Sequence, residues 1–206
     1  SKVEVLVEEK PARISAYQLD GRLVFSTKPC AMGEVEKERS VLRVALDRNE
    51  GIWGLGQDPM GNVQRNGHER RMWNEWGGLH VCANAALPFY LSSHGYGLLL
   101  NSGWPSRFAV GEAKVSDPPP AHSIERSKGP WDWNVSSGEE DPDDMSLILE
   151  NGRMDVFMVL RSGDEAIRGY GELTGAAPLP PKWAFGYFQS KNRYRTDDEF
   201  MTLGKT

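Results

Sequence analysis

The residues able to do chemistry in this chain are scattered, and their spacing excludes several familiar reactions. Gly54-Leu55-Gly56 opens like a dinucleotide fingerprint, in which glycines let the backbone approach a pyrophosphate. Pro59 stands where the third glycine belongs, and no helical pattern follows. The two glycines therefore read as a tight backbone turn, which their freedom at positive φ permits. Gly204-Lys205-Thr206 has the ending of a phosphate loop, but Glu199 occupies the place of its first glycine. His68, His80, His94 and His122 share no metal-ligand spacing, and no Ser-His-Asp triad can be assembled around them. Cys30 and Cys82 lack the number and spacing of a zinc site; they read first as free thiols and second as a disulfide. The acidic run from Glu139 to Asp144 offers oxygen ligands for Ca²⁺ without the spacing or glycine of an EF-hand, and reads as a solvated loop. Trp131 and Trp133 read as hydrophobic anchors of a long loop, with a sugar-stacking platform as the second reading. No metal or cofactor site is expected.

The elements that would position these residues follow from composition and patterning. The chain has 206 residues, 10% of them aromatic, with 22 Gly and 13 Pro. Many aromatics among many turn residues favour short strands joined by tight turns. A net charge of -5 without a Lys/Arg-rich run leaves no footprint for nucleic acid. No apolar stretch approaches the roughly 18 residues that a membrane-spanning helix needs. Ser1-Lys2 runs straight into a strand-like pattern without a signal peptide, which leaves cytoplasmic and exported locations both open.

Val3, Val5 and Val7 alternate with Glu4 and Glu8 at the period of a strand. A second strand, Arg13 to Leu19, meets Asp20-Gly21 and continues through Arg22 to Phe25; Asp-Gly between apolar runs predicts a hairpin. Further strands are expected over Val41–Leu46, Pro88–Ser92 and Tyr96–Asn101. Leu147–Leu149 and Met154–Leu160 flank Asn151-Gly152, a second hairpin signal. Residues 117–144, with Pro118-Pro119-Pro120, read as a long loop or insertion. Strands at this spacing argue for an antiparallel β-sandwich.

The pattern changes after Leu160. Ser162 or Asp164 can cap a helix with Ala166, Ile167, Tyr170 and Leu173 on one side, and Gly175 is placed to end it. Pro178, Pro180 and Pro181 form a stiff boundary. The apolar run from Trp183 to Gln189 suits a strand buried on both faces of a parallel sheet. Thr196-Asp197-Asp198-Glu199 is a capping-box pattern that starts another helix. Such a strand needs neighbours reached through crossovers, so further C-terminal sequence is expected.

Three segments in register resemble glycoside hydrolase family 31. The first is Trp53-Gly54-Leu55-Gly56-Gln57, followed by Arg65-Asn66-Gly67 and Trp73-Asn74. The second is Pro88-Phe89-Tyr90-Leu91-Ser92 with Gly95 through Asn101. The third is Tyr170 through Gly175, then Leu179-Pro180-Pro181-Lys182-Trp183-Ala184-Phe185-Gly186. The resemblance implies a galactose-mutarotase-like sandwich over residues 1–178 and the first strand and helix start of a (β/α)8 barrel over 179–206. It implies that the intact protein is a retaining α-glycosidase acting on α-linked glucosyl, xylosyl or galactosyl residues by hydrolysis or transfer. Its partners would be an oligosaccharide or α-glycoside substrate and the rest of the barrel, whether encoded in the same gene or as a companion chain. Both catalytic Asp residues of the family lie on later barrel strands, so no catalytic residue is assigned and this chain alone is expected to be inactive.

The resemblance also implies a loop reaching over the barrel mouth, matching residues 65–78. Trp73, Asn74, Glu75 and Trp76 are its candidates for sugar contact, because aromatic faces stack on sugar rings while polar groups orient hydroxyls. Packing of the two tryptophans and a solvated role for Glu75 are the alternatives. Arg65 and Asn66 either position the loop or touch ligand. Gln189 and Arg193, near the end of the first barrel strand, would also face the pocket. A non-catalytic carbohydrate-binding module and a structural β-sandwich are the alternative readings; fold alone does not separate them.

Overall fold

The computed structural model describes residues 3–28, 34–36, 39–57, 63–72, 85–111, 143–149, 151, 153–188 and 194–203. The chain divides into two compact units, Ser1–Gly175 and Ala176–Thr206. The first unit carries β1 (Val3–Glu9), β2 (Ala12–Gln18), β3 (Leu23–Ser26), β4 (Glu34–Glu36), β5 (Arg39–Ala45) and β6 (Ile52–Gly54). It continues with β7 (His68–Met72), β8 (Phe89–Ser92), β9 (Tyr96–Leu100), β10 (Ser106–Val110), β11 (Asp144–Leu149), β12 (Val156–Val159) and helix α1 (Gly163–Thr174).

Among the described residues three antiparallel sheets result, in the orders β1-β2-β3, β4-β5-β11-β10-β7 and β12-β9-β8-β6. Alternation decides their inner faces. Leu42 and Val44, Phe108 and Val110, and Met145 and Leu147 point from the five-stranded sheet into one core. Tyr90, Tyr96, Leu98 and Leu100 meet them from the four-stranded sheet, and Ala16, Val24 and Phe25 close the side. Phe25, Tyr96, Tyr90 and Phe108 follow one another in a chain of edge-to-face contacts, with centroids 5.4 to 6.4 Å apart. The Asp20-Gly21 turn forms as expected: Gly21 takes a φ of 83°, and the Asp20 carboxylate accepts the Arg22 N–H at 3.0 Å.

The Asn151-Gly152 signal does not make a hairpin. β11 is flanked by β5 and β10, so both of its edges are taken. β12 pairs instead with β9 in the other sheet, with Phe157 opposite Leu99. The connection is a crossing between sheets, which local turn residues cannot distinguish from a hairpin.

Helix α1 covers the outer face of the four-stranded sheet. Gly169 meets Val159 so closely that a Cβ there would lie 2.6 Å from a Val159 methyl. Tyr170 stacks on Phe89 with centroids 4.6 Å apart. The packed stripe is thus Ala166, Gly169 and Tyr170, whereas Ile167 and Leu173 stay exposed. Gly175 ends the helix as expected, donating its N–H to the Gly171 carbonyl at 2.9 Å.

In the second unit the expected buried strand over Trp183–Gln189 is not seen. Lys182–Phe185 form a 3₁₀ turn, and Gln189 lies outside the described residues. Trp183, Phe185, Tyr187 and Phe188 are all exposed. The physical reason is local: among the described residues no neighbouring strand offers a ladder. The backbone instead closes i→i+3 bonds, from Ala184 N–H to the Pro181 carbonyl and from Gly186 N–H to the Trp183 carbonyl. Helix α2 (Asp197–Leu203) follows, and Thr196 Oγ1 accepts the Glu199 N–H at 3.2 Å, as the capping-box pattern requires. No helix among the described residues is long and apolar enough to cross a membrane.

Candidate functional site

The polar chemistry inside the sandwich gathers at one end, where β6, β7 and β8 meet. Glu50 precedes β6 and is almost wholly buried. Its Oε1 accepts hydrogen bonds from Ser92 Oγ and from the Tyr96 hydroxyl, the latter at 2.9 Å. Its Oε2 accepts the Asp47 N–H at 3.2 Å and lies 3.7 Å from His94 Nδ1. A buried carboxylate is tolerated only when its lone pairs are met in this way. Burial, then the nearby Glu50 charge, raises the Tyr96 phenol far above its ordinary range. Burial and the neighbouring Tyr96 do the same to Tyr90. Among the described residues, the Tyr90 hydroxyl meets no hydrogen-bond partner of ordinary geometry.

Ser92, His94 and Glu50 do not form a nucleophilic triad. Ser92 donates its proton to a carboxylate, and the His94 ring faces that carboxylate rather than the hydroxyl. The network is a structural lock on the β8–β9 hairpin.

Beside it lies the turn Gly54-Leu55-Gly56, whose residues all take positive φ: 105°, 60° and 77°. Glycine is required at both ends. A Cβ at Gly54 would lie 2.7 Å from the Phe89 carbonyl oxygen, and one at Gly56 would overlap the Ala85 carbonyl oxygen. Leu55 accepts the strained conformation because its side chain is fully buried and its N–H donates to Phe89 O at 2.9 Å.

Two buried arginines fasten this turn. Arg65, 4% exposed, donates from Nε to Gly54 O at 2.8 Å and from Nη2 to Gly56 O at 3.0 Å. Arg70, 1% exposed, donates from Nη2 to Gln57 O at 2.6 Å. Asn66 bridges the same region: its Nδ2 donates to Glu50 O at 2.7 Å, and its Oδ1 accepts the Ile52 N–H at 2.9 Å. On the opposite face of β7, Glu69 accepts from Arg71 at 2.8 Å and faces Arg107 at 3.5 Å. That carboxylate offsets two arginines set directly across from each other in the ladder.

Of the sites anticipated from sequence, Arg65 and Asn66 hold backbone groups in place. Trp73, Asn74, Glu75 and Trp76 follow directly on β7 but lie outside the described residues, as do Gln189 and Arg193. So do Cys30, Cys82, Trp131, Trp133 and the acidic run as far as Pro142. Glu50 and Arg70 escaped the sequence reading. In the strand His68-Glu69-Arg70-Arg71-Met72, charge sits on both faces, so alternation carries no sign of which face is inside.

This arrangement of sheets, helix and glycine turn defines a galactose-mutarotase-like β-sandwich. Residues 1–108 match the family described as glycosyl hydrolase 31 N-terminal galactose mutarotase-like domain, and the chain belongs to that family. It is similar to an α-xylosidase of Saccharolobus solfataricus, 30% identical over 78% of this chain and 18% of that one. It is also similar to α-glucosidase 2 of Bacillus thermoamyloliquefaciens, 24% identical over 100% of this chain and 24% of that one. The chain therefore spans between 18% and 24% of the length of these two relatives. Among solved structures, a GH31 dextranase of Flavobacterium johnsoniae complexed with isomaltotriose superposes with a TM-score of 0.69 at 22% identity, over 91% of this chain and 20% of that one. The α-xylosidase of Xanthomonas citri gives 0.66 at 17% identity, over 98% and 35%. These two likenesses concern the fold.

Proposed function

We propose that the intact protein containing this chain is a retaining α-glycosidase that hydrolyses or transfers α-linked glucosyl, xylosyl or galactosyl residues. The observation that carries this reading is the family match over residues 1–108, joined by curated relatives that are an α-xylosidase and an α-glucosidase. This chain is its N-terminal sandwich over residues 1–178. Residues 179–206 begin the catalytic barrel, and the exposed Trp183, Phe185, Tyr187 and Phe188 are the surface on which later barrel elements close. The two carboxyl groups of retaining chemistry, about 5–5.5 Å apart, belong to that barrel and not to this chain. The sandwich contributes Trp73, Asn74, Glu75 and Trp76 to the substrate pocket, with Gln189 and Arg193 at the end of the first barrel strand.

The test is direct. The intact protein should release product from aryl α-glucosides or α-xylosides with retention of anomeric configuration, seen by proton NMR of the first-formed sugar. The 206-residue chain should release none. Inversion, or no turnover of any α-glycoside by the intact protein, would refute the reading. Calorimetric sugar binding by the 206-residue chain alone would instead favour a free-standing binding module.

A further inference from the structure

The two buried arginines and the glycine turn converge on one residue that the sequence motif alone does not single out. Gln57 accepts the Arg70 guanidinium at its carbonyl, 2.6 Å away, and donates its N–H to Ala85 O at 3.2 Å. Arg70 belongs to β7, which ends at Met72; Ala85 is the first described residue after the 73–84 segment. A single residue, Gln57, thus ties the strand that enters this segment to the residue that leaves it. The turn that holds Gln57 in place is itself clamped by Arg65 on Gly54 O and Gly56 O. Charged donors to carbonyls in a water-poor interior are strong and directional. A guanidinium, with its rigid fork, is suited to hold several carbonyls at once.

We propose that Arg65 and Arg70 are positioning residues: through the carbonyls of Gly54, Gly56 and Gln57 they hold Met72 and Ala85 in fixed register, and the sugar affinity of the intact protein depends on that register. The link to sugar rests on the reading that Trp73–Trp76 touch substrate. The clamp itself does not.

Two measurements separate these claims. In the 206-residue chain, exchange of the Gln57 amide, followed by NMR, should quicken about tenfold in Arg70→Met, because its backbone partner loses register. Amides of β9 and β11 should keep wild-type protection. In the intact protein, Arg70→Met should raise KM about 10- to 100-fold for an aryl α-glycoside while kcat changes little, the size expected when a binding group shifts by about an ångström. Arg70→Lys, which keeps a charged donor, should recover part of the loss. It also carries the comparison if the Met variant does not fold. A role in stability alone would speed exchange throughout the core and leave KM where it was, which overturns the proposal. So would an unchanged Gln57 amide. A wild-type protein inactive on all α-glycosides would refute the functional reading and the link to affinity, while Gln57 exchange would still decide whether the clamp exists.

Discussion

A carboxylate buried in a β-sandwich is a liability unless every lone pair is met, and Glu50 shows how short polar side chains meet them. Ser92, Tyr96 and the Asp47 N–H converge on it from one hairpin and one turn. Hydrogen bonds to charged groups contribute about 1.5–3 kcal/mol each, so Tyr96→Phe should cost about that much in urea unfolding. Tyr90→Phe removes a buried hydroxyl that has no well-formed hydrogen bond among the described residues, and should be neutral or stabilising by up to about 1 kcal/mol. The same pair makes stability depend on alkaline pH. Both phenols are raised in the folded state, so near pH 10 and above the unfolded chain loses protons that the folded one keeps. Stability contributed by the two is therefore complete below an unfolded value near 10 and declines as pH rises, by about 1.4 kcal/mol per pH unit for each tyrosine. Denaturant titrations between pH 8 and 11 should show that slope, and Tyr96→Phe should roughly halve it.

Among the elements, α1 shows how glycines two positions apart on one helix can have opposite roles. Gly169 is the contact that lets the helix settle on β12, against Val159. Gly171 has open space around its Cα and contributes only flexibility to the unfolded chain. Gly171→Ala should stabilise by about 0.5–1 kcal/mol, the usual helical gain over glycine. Gly169→Ala has the same propensity gain but meets a stiff, β-branched neighbour, and overpacking costs about 1–3 kcal/mol. Thermal melts of the two single variants should differ by at least about 1 kcal/mol in the stated direction. The glycine turn after β6 follows the same logic: its two glycines are there because backbone carbonyls occupy the space of a Cβ.

For the whole molecule, the core among the described residues is drawn from residues before Gly175, with the last packed contributor at Leu160. Truncation after Gly175 should therefore leave a cooperatively unfolding sandwich, its Tm shifted by less than about 4 °C, the equivalent of about 1 kcal/mol for a domain of this size. Loss of cooperative unfolding in calorimetry would contradict this. The removed unit exposes Leu179, Trp183, Phe185, Tyr187 and Phe188, more large apolar surface than an isolated soluble segment usually shows, and such surfaces mark sites of interaction.

Much of this was legible in one dimension. Alternation over Val3–Val7 and the apolar runs within Tyr96–Asn101 and Leu147–Leu149 marked strands, Asp20-Gly21 marked a turn, and Gly175 marked a helix end, because each depends on neighbours a few residues away. The family motifs were legible for the same reason, being short and ordered along the chain. What only the tertiary structure decided depends on distant partners. β12 joins β9 because both edges of β11 are already occupied. Trp183–Phe185 coil locally because, among the described residues, no strand lies alongside. Glu50, Arg65 and Arg70 are interior residues only because Tyr96 and the carbonyls of Gly54, Gly56 and Gln57 come to meet them. A charged side chain read alone belongs in water, and it is the arrival of its partners in space that moves it inside.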